Sequence, residues 1–364
     1  MKLLAACSPG EIRVVATADG TLVDAAIERP GARDGVGDIH RGRVTARRPA
    51  LAGAFVALAD GPEGFLPDSA GGCHVGVGDA VAVRVVRAAQ GGKGPRLGGE
   101  AFPVEPGPPM LLTPGPGPLA ALAALHPSAA VAVDDLVVLA ALRPALGMRV
   151  TLVPRAFDDA VEAAWAGLAL RQAPLAGGGR LSIHPTPALV AVDVDLGAGA
   201  GERRGKTAAH VDANLATIPE IARQIRLRNL SGPIVVDLAG LSPKRRAALG
   251  PQFAAALAGD PVPTRFLGFS ALGLAEILRS RIRPPLHELL AGPHAAGLAA
   301  LRRLARELAA CPGRRPALHA AADVADAILA DAAACHDLAR RAGRPLMLHT
   351  DRTLPPLSWR LEED

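Results

Sequence analysis

The chain has no tyrosine, two tryptophans and seven phenylalanines, so aromatic residues make up only 2% of it. With so few rings, any role that needs stacking must rest on individual, identifiable side chains. Cysteine is equally scarce: Cys7, Cys73, Cys311 and Cys335 stand far apart, with no C-x-x-C pair. That spacing argues against a disulfide scaffold and gives no thiolate zinc signature. Cys335 and His336 are adjacent, but neighbours in sequence seldom ligate one metal alone, and reduced buried thiols are expected. No window approaches the roughly 20 uninterrupted apolar residues of a membrane span. The opening MKLLAAC falls short of the roughly 7–15 apolar residues of a secretory h-region. A cytoplasmic protein without a membrane partner is therefore expected. No G-x-x-x-x-G-K-[ST] occurs, and the GAGAG stretch at 197–201 lacks the context of a dinucleotide fold. Ser/His/Asp and Cys/His catalysis have no local signature either.

What is present is a chain of 364 residues, half apolar and about a fifth charged, which reads as folded and divided into two or three domains. Its formal charge of +5 suits an anionic partner without demanding one. Residues 11–28, EIRVVATADGTLVDAAIE, alternate around Asp19-Gly20 and predict a hairpin. From about 37 to 97, short strand-like segments separated by glycine-rich turns predict a small barrel. The proline- and glycine-rich stretch 103–118 reads as a linker. Strands alternating with helices then mark an α/β region. A helix is signalled at Thr217-x-x-Glu220, a capping box with Pro219 in the first turn, and a new α/β pattern follows from about 290.

Three groups of residues carry candidate chemistry. ALVAVDVDLG (188–197) runs as a buried strand into Asp193 and Asp195, and IVVDLAGL carries a second such strand into Asp237. In a strand, residues i and i+2 share a face. In α/β sheets the carboxyl ends of strands are where sites form. Clustered carboxylates suit Mg²⁺, which takes few hard oxygen ligands and keeps its waters. The competing reading is a strand-end turn with solvated acids. The second group is basic: Arg203, Arg204 and Lys206, then Arg223, Arg226 and Arg228, then Lys244-Arg245-Arg246 and Arg279, Arg281, Arg283. These suit a polyanion held by its backbone, or simply a solvated face. Phe55, Phe65 and Lys93 on the barrel form the third group. They suit base stacking and phosphate contact, unless both rings belong to the barrel core.

Taken together, GDIHRGRV, AGAFVALADGPEGFLP, GDAVAVRVVRAAQGGKGPRL, GGGRLSIHPTPALVAVDVD, EIARQIRLRNLSGPIVVDLAGL and the closing HTDRTLPPLSWRL resemble the ribonuclease E/G family of RNA endonucleases. The resemblance implies an α+β multidomain fold. Its parts are an N-terminal hairpin (1–35) packing with an RNase H-like region (119–175), and an S1-like OB barrel (36–98). A linker (99–118), a DNase I-like catalytic region (176–286) and a small C-terminal α/β domain (287–364) complete it. It implies an Mg²⁺-dependent endoribonuclease (Mn²⁺ also serving) that cleaves single-stranded RNA with a metal-activated water and leaves a 5′-phosphate. Asp193 and Asp237 fall at the family's metal positions, with Asp195 where asparagine is usual. Phe55, Phe65 and Lys93 match the barrel residues that touch RNA. Three departures stand out. The segment that senses a 5′-monophosphate is replaced by GEAFPVEPGPPMLLTP, so cleavage indifferent to the 5′ end is expected. The C-P-x-C zinc link is missing, so neither structural zinc nor a zinc-joined tetramer is expected, which leaves open a homodimer through the catalytic region. Ala271 stands in FSALGL where arginine is usual. An RNA-binding protein of the same ancestry with little cleavage is the alternative.

Overall fold

The structure is a computed structural model that describes residues 1–59, 61, 63–197, 206–311 and 313–363, with the backbone path alone for 206–209. Two compact units emerge, each assembled from separated stretches of chain. Unit 1 comprises Met1–Arg33, Pro118–Ala169 and Leu286–Asp364; unit 2 comprises Asp34–Gly117 and Leu170–Pro285.

Unit 1 begins with the antiparallel strands β1 (Lys2–Ser8), β2 (Glu11–Ala18) and β3 (Thr21–Glu28). Asp19 and Gly20 close the predicted hairpin at φ 50° and 76°. Two positive φ values in a two-residue loop match the right-handed twist of the flanking strands, and glycine and aspartate tolerate them.

The chain then lays down β4 (Ile39–Arg48), β5 (Gly53–Ala57), β6 (Gly64–Pro67), β7 (Ala80–Arg87) and β8 (Arg96–Gly99) in unit 2. β4 pairs with β5 and β7, β5 with β6, β6 with β8, and β8 with β7. That ring of pairings closes a five-stranded, OB-like barrel. Alternation sends Val44, Ala54, Val56, Leu66, Val83 and Leu97 into its core. Within the stretch read as a linker, β9 (Met110–Thr113) adds to β4 as an outer strand.

Unit 1 resumes with α1 (Pro118–Leu125), β10 (Ala130–Val133), α2 (Leu136–Leu146), β11 (Val150–Leu152) and α3 (Asp159–Gly167). β10 runs parallel to both β1 and β11, giving the sheet order β11-β10-β1-β2-β3.

Unit 2 continues with β12 (Gln172–Pro174), β13 (Arg180–Pro185), β14 (Val190–Asp195), α4 (Lys206–Leu227) and β15 (Gly232–Asp237). It ends with α5 (Pro243–Ala247), α6 (Gly250–Leu257), β16 (Thr264–Phe269) and β17 (Ala275–Arg279). The sheet order is β12-β13-β14-β15-β17-β16, with β14 and β15 parallel across the α4 crossover. One sheet face carries Val190, Val192, Val194 and Val236 into a core with Ile218, Ile221 and Ile225 of α4 and Phe253 of α6. Each such side chain contributes about 1.5–3 kcal/mol by leaving water. Chemistry is left to the opposite face.

The helix signalled at Thr217 starts at least as early as Lys206 and runs through Pro219. The Thr217 hydroxyl donates to the Asn214 carbonyl (2.8 Å), and Glu220 accepts from Arg223 and Gln224. The capping-box pattern is thus used for bonds inside a longer helix, and the burial of Ile218, Ile221 and Ile225 outweighs the backbone bond that Pro219 removes.

Unit 1 closes with α7 (Leu286–Leu289), α8 (Gly292–Ala310), β18 (Pro316–Ala320), α9 (Ala322–Ala330), α10 (Ala332–Ala342), β19 (Leu348–Thr350) and β20 (Trp359–Glu363). The three strands form the sheet β19-β18-β20 over Leu298, Leu301, Leu318 and Ile328. No helix among the described residues is long and apolar enough to cross a membrane.

Candidate functional site

β14 and β15 both end in acids on the face of the unit 2 sheet opposite its core. The same alternation that buries Val192, Val194 and Val236 turns Asp193 and Asp237 outward, and both are exposed. Their Cα positions are register partners in the parallel pair, which sets the two backbones roughly 5 Å apart. Asp193 has no hydrogen bond or ion pair among the described residues. Asp237 accepts from Arg246 Nη1 at Oδ1 (2.8 Å), and the same nitrogen also reaches the Gly273 carbonyl (2.8 Å). Arg246 Nε adds a bond to the Leu241 carbonyl, so this arginine ties Asp237 to both neighbouring loops.

Asp195 shares the outward face but has other partners. Arg180 of β13 pairs with it at 3.0 Å, and its Oδ1 accepts the Gly197 N–H at 2.9 Å. Two further residues join this face only through strand register. Ser182 lies opposite Asp193, and half-buried Glu276 lies opposite Val235. Neither was among the candidate residues of the sequence, although Ser182 lies within the GGGRLSIHPTPALVAVDVD stretch. Arg180 and Glu276 could have been found only by guessing the pairing partners of two strands.

Near the head of α4, the His210 ring lies against Gly240, three residues beyond Asp237: a Cβ there would come within 2.6 Å of His210 Nδ1. Gly240 sits at φ +62°, and both facts demand glycine. Asn214, fully buried, donates to the Ala239 carbonyl (2.9 Å) and fastens the same loop to the helix.

On the barrel, Phe55 and Phe65 are cross-strand partners, with ring centroids 5.6 Å apart in an edge-to-face arrangement. Ala54, Val56 and Leu66 point to the core, and the two half-buried rings lie on the outer side. Lys93 is exposed in the turn bridged by Gln90 and Lys93. Arg96, absent from the sequence candidates, is the exposed register partner of Phe65. Its alternation with buried Leu97 was the available signal. Burial and the charges of Arg96 and Arg281 push the Arg87 guanidinium below its ordinary value, so these three cations crowd one another.

The remaining candidates divide. Arg203 and Arg204 lie outside the described residues. Arg226 reaches the Gly259 carbonyl at 3.2 Å and is partly exposed. Arg228 is buried, with Nε on Gln224 Oε1 (2.7 Å) and Nη1 on the Leu170 carbonyl. Burial lowers its guanidinium below the ordinary value, opposed by Glu220. Those bonds hold α4 in place.

The donor set fits a magnesium-type cation. Two exposed carboxylates on neighbouring strands offer hard oxygens, and such ions are commonly bound through one or two carboxylates with several waters kept. No group of three or more His, Cys, Asp or Glu side chains forms a closed cage among the described residues. Asp193 and the second oxygen of Asp237 are the atoms that would hold the ion.

Unit 2 thus combines an α/β sheet that ends two parallel strands in exposed carboxylates with an OB-like barrel that carries two aromatics on its outer side. Residues 139–282 match the model of the ribonuclease E/G family. The chain is 38% identical over 122 residues to ribonuclease G of Escherichia coli K12, covering 33% of this chain and 24% of that one. It is 35% identical over 137 residues to the chloroplastic ribonuclease E/G-like protein of Arabidopsis thaliana, covering 36% and 14%. To ribonuclease E of Nostoc it is 35% identical over 138 residues, covering 36% and 20%. The matches thus span a quarter or less of these relatives' length.

Proposed function

We propose that the chain is a divalent-metal-dependent endoribonuclease acting on single-stranded RNA. The observation that carries this reading is the register pairing of two exposed acids, Asp193 and Asp237, at the ends of neighbouring parallel strands. Bound there, Mg²⁺ (or Mn²⁺) supplies charge neutralisation at a phosphodiester and acidifies water. The chain's own residues supply position. Phe55 and Phe65 stack bases, while Lys93 and Arg96 hold phosphates, a sequence-tolerant grip on a single strand. Arg281, whose side chain lies against Gly232 at the start of β15, extends the cationic path to the catalytic sheet. From Gly232 to Asp237 the strand covers roughly 17 Å at the ordinary rise, about the reach of a few nucleotides. Arg246 fixes one oxygen of Asp237 and leaves the other for the cation. Asp195, held by Arg180, sets the charge beside Asp193. Cleavage leaves a 5′-phosphate and ignores the phosphorylation state of the substrate's own 5′ end. The assembly to test by light scattering is a homodimer through the catalytic region.

One observation favours a second reading, an RNA-binding protein with little or no cleavage: Asp237 is already neutralised by Arg246. A fluorescent single-stranded RNA with Mg²⁺ separates the two. The wild type is expected to cut, while Asp193→Asn and Asp237→Asn bind without cutting. Binding without cleavage by the wild type, in Mg²⁺ and in Mn²⁺, establishes the second reading. A large rate gain on monophosphorylated over triphosphorylated RNA sinks the claim of 5′-end indifference.

A further inference from the structure

Unit 1 holds a cavity of about 650 Å³ that is unrelated to the carboxylate pair. That volume is in the range of small-molecule sites. Its polar wall is dominated by arginine: Arg13, Arg155, Arg302, Arg306, Arg341 and Arg344 line it, against Asp134 and Glu162. Ala305, Leu308 and Ala309 of α8 add an apolar side. Arg302, Ala305, Arg306 and Ala309 follow helical spacing, so one face of α8 presents two cations with small side chains beside them.

The charges in this wall do not balance. Glu162 accepts from Arg13 through two bonds (2.8 and 2.9 Å) and from Arg306 as well. Glu11 accepts from Arg29 (3.1 Å) and Arg302 (2.8 Å). Two carboxylates therefore serve four guanidiniums. Elsewhere in the wall Arg155 pairs with Asp159 (2.8 Å) and Arg341 with Asp135 (2.8 Å) and Asp337 (3.1 Å). Asp134 accepts the backbone N–H groups of Cys7 and Ala156, so the excess is confined to the Arg13, Arg302 and Arg306 side. Arg13 is 3% exposed, lies over the Phe157 ring at 4.9 Å, and its buried Nε has no hydrogen-bond partner among the described residues. Burial and the charge of Arg13 push the Arg302 guanidinium below its ordinary value; Glu11 opposes this, and Arg306 adds to it. Partly buried positive charge in excess is costly unless an anion completes it.

We propose that this cavity binds a small phosphorylated molecule, with its phosphate between Arg302 and Arg306 and its organic part along Ala305, Leu308 and Ala309. Phosphate suits the site because its several terminal oxygens can accept from two planar forks at once. Among the described residues Arg302 has a single hydrogen bond, to Glu11, and Arg306 a single one, to Glu162. Most of their donors are therefore left for a ligand. The proposal is independent of the nuclease reading, since it uses a different unit and none of its residues.

The test is calorimetric titration of the full chain, in chloride buffer, with inorganic phosphate, pyrophosphate, ADP and a 5′-phosphorylated RNA oligonucleotide. Pyrophosphate and ADP are expected to bind in the sub-millimolar range. Arg302→Ala and Arg306→Ala should each weaken them on the order of tenfold, the loss of one charge-assisted contact. Glu162 keeps Arg13 in the second variant and Glu11 keeps Arg29 in the first, so both should melt as cooperatively as the wild type. Arg303→Ala, on the same helix but outside the cavity, should bind normally. Three results overturn the proposal: no small phosphate binds at millimolar concentration, Arg303→Ala weakens binding as much as the other two, or only the RNA binds and loses affinity in the Arg302 and Arg306 variants.

Discussion

Three strands in this molecule run from apolar residues into aspartates, and the acids of the two units have opposite fates. In unit 1, β10 leads into Asp134 and Asp135. Asp134 accepts the N–H groups of Cys7 (2.7 Å) and Ala156 (3.1 Å). Asp135 caps α2 by accepting from Val137 and Val138, and Arg341 pairs with it at 2.8 Å. In unit 2, Asp193 and Asp237 face outward, one without a described partner and the other held at one oxygen. Similar sequence patterns thus give a structural joint in one sheet and an open oxygen site in the other. The difference lies in which N–H groups and cations the fold brings to the strand end. Acids that are satisfied locally stabilise; acids left open are available for chemistry.

The sharpest test of that contrast is Asp193→Asn or Asp237→Asn. Cleavage should fall on the order of 10³-fold with RNA affinity retained, the loss of several kcal/mol of charge stabilisation at the reacting phosphate. Single-turnover cleavage beside anisotropy binding measures both. Asp134→Ala should do the reverse. It leaves two backbone N–H groups without their acceptor and is expected to lower stability by about 2 kcal/mol, read by urea denaturation, with cleavage per folded molecule unchanged.

Asp135→Asn probes charge alone, because asparagine also caps helices. Burial raises the Asp135 carboxyl, but the Val138 and Val137 N–H groups and Arg341 outweigh it, so it lies below its ordinary 3.8 in the folded chain. A lowered folded value makes the contribution complete above 3.8 and loses it as pH falls through the folded value. The variant should therefore be less stable than wild type by about 1 kcal/mol near neutrality, with the gap closing in acid. A gap that widens in acid would break the assignment. Smallest of all, Asp195→Asn should change cleavage by less than about fivefold, since it removes one exposed ion pair with Arg180. An effect as large as that of Asp193→Asn would make Asp195 a member of the open site.

How much of this was legible in advance follows the range of the interactions. The Asp19-Gly20 hairpin, the alternating barrel strands and the aspartates ending β14 and β15 are local patterns, and all are present. The start of α4 was misread because a capping box is a pattern of four residues, whereas the helix is held by its packing against the sheet. Arg180, Ser182, Glu276 and Arg96 were missed because strand register decides their neighbours, and register is a property of the sheet rather than of any one strand. Arg228 was visible as a charge, but that it lies inside could be known only once Gln224 and the Leu170 carbonyl were in place.

The interleaving of the two units has a consequence for synthesis on the ribosome. Strands β1 to β3 are made well before the α8–β20 stretch that completes their unit. Unit 2 has its whole chain once Pro285 has emerged. Vectorial folding, in which the earliest segment folds first, therefore cannot complete unit 1 before the whole chain of unit 2 is available. The strands that carry the open acids, β14 and β15, thus have all the segments of their unit available before β1 to β3 have theirs.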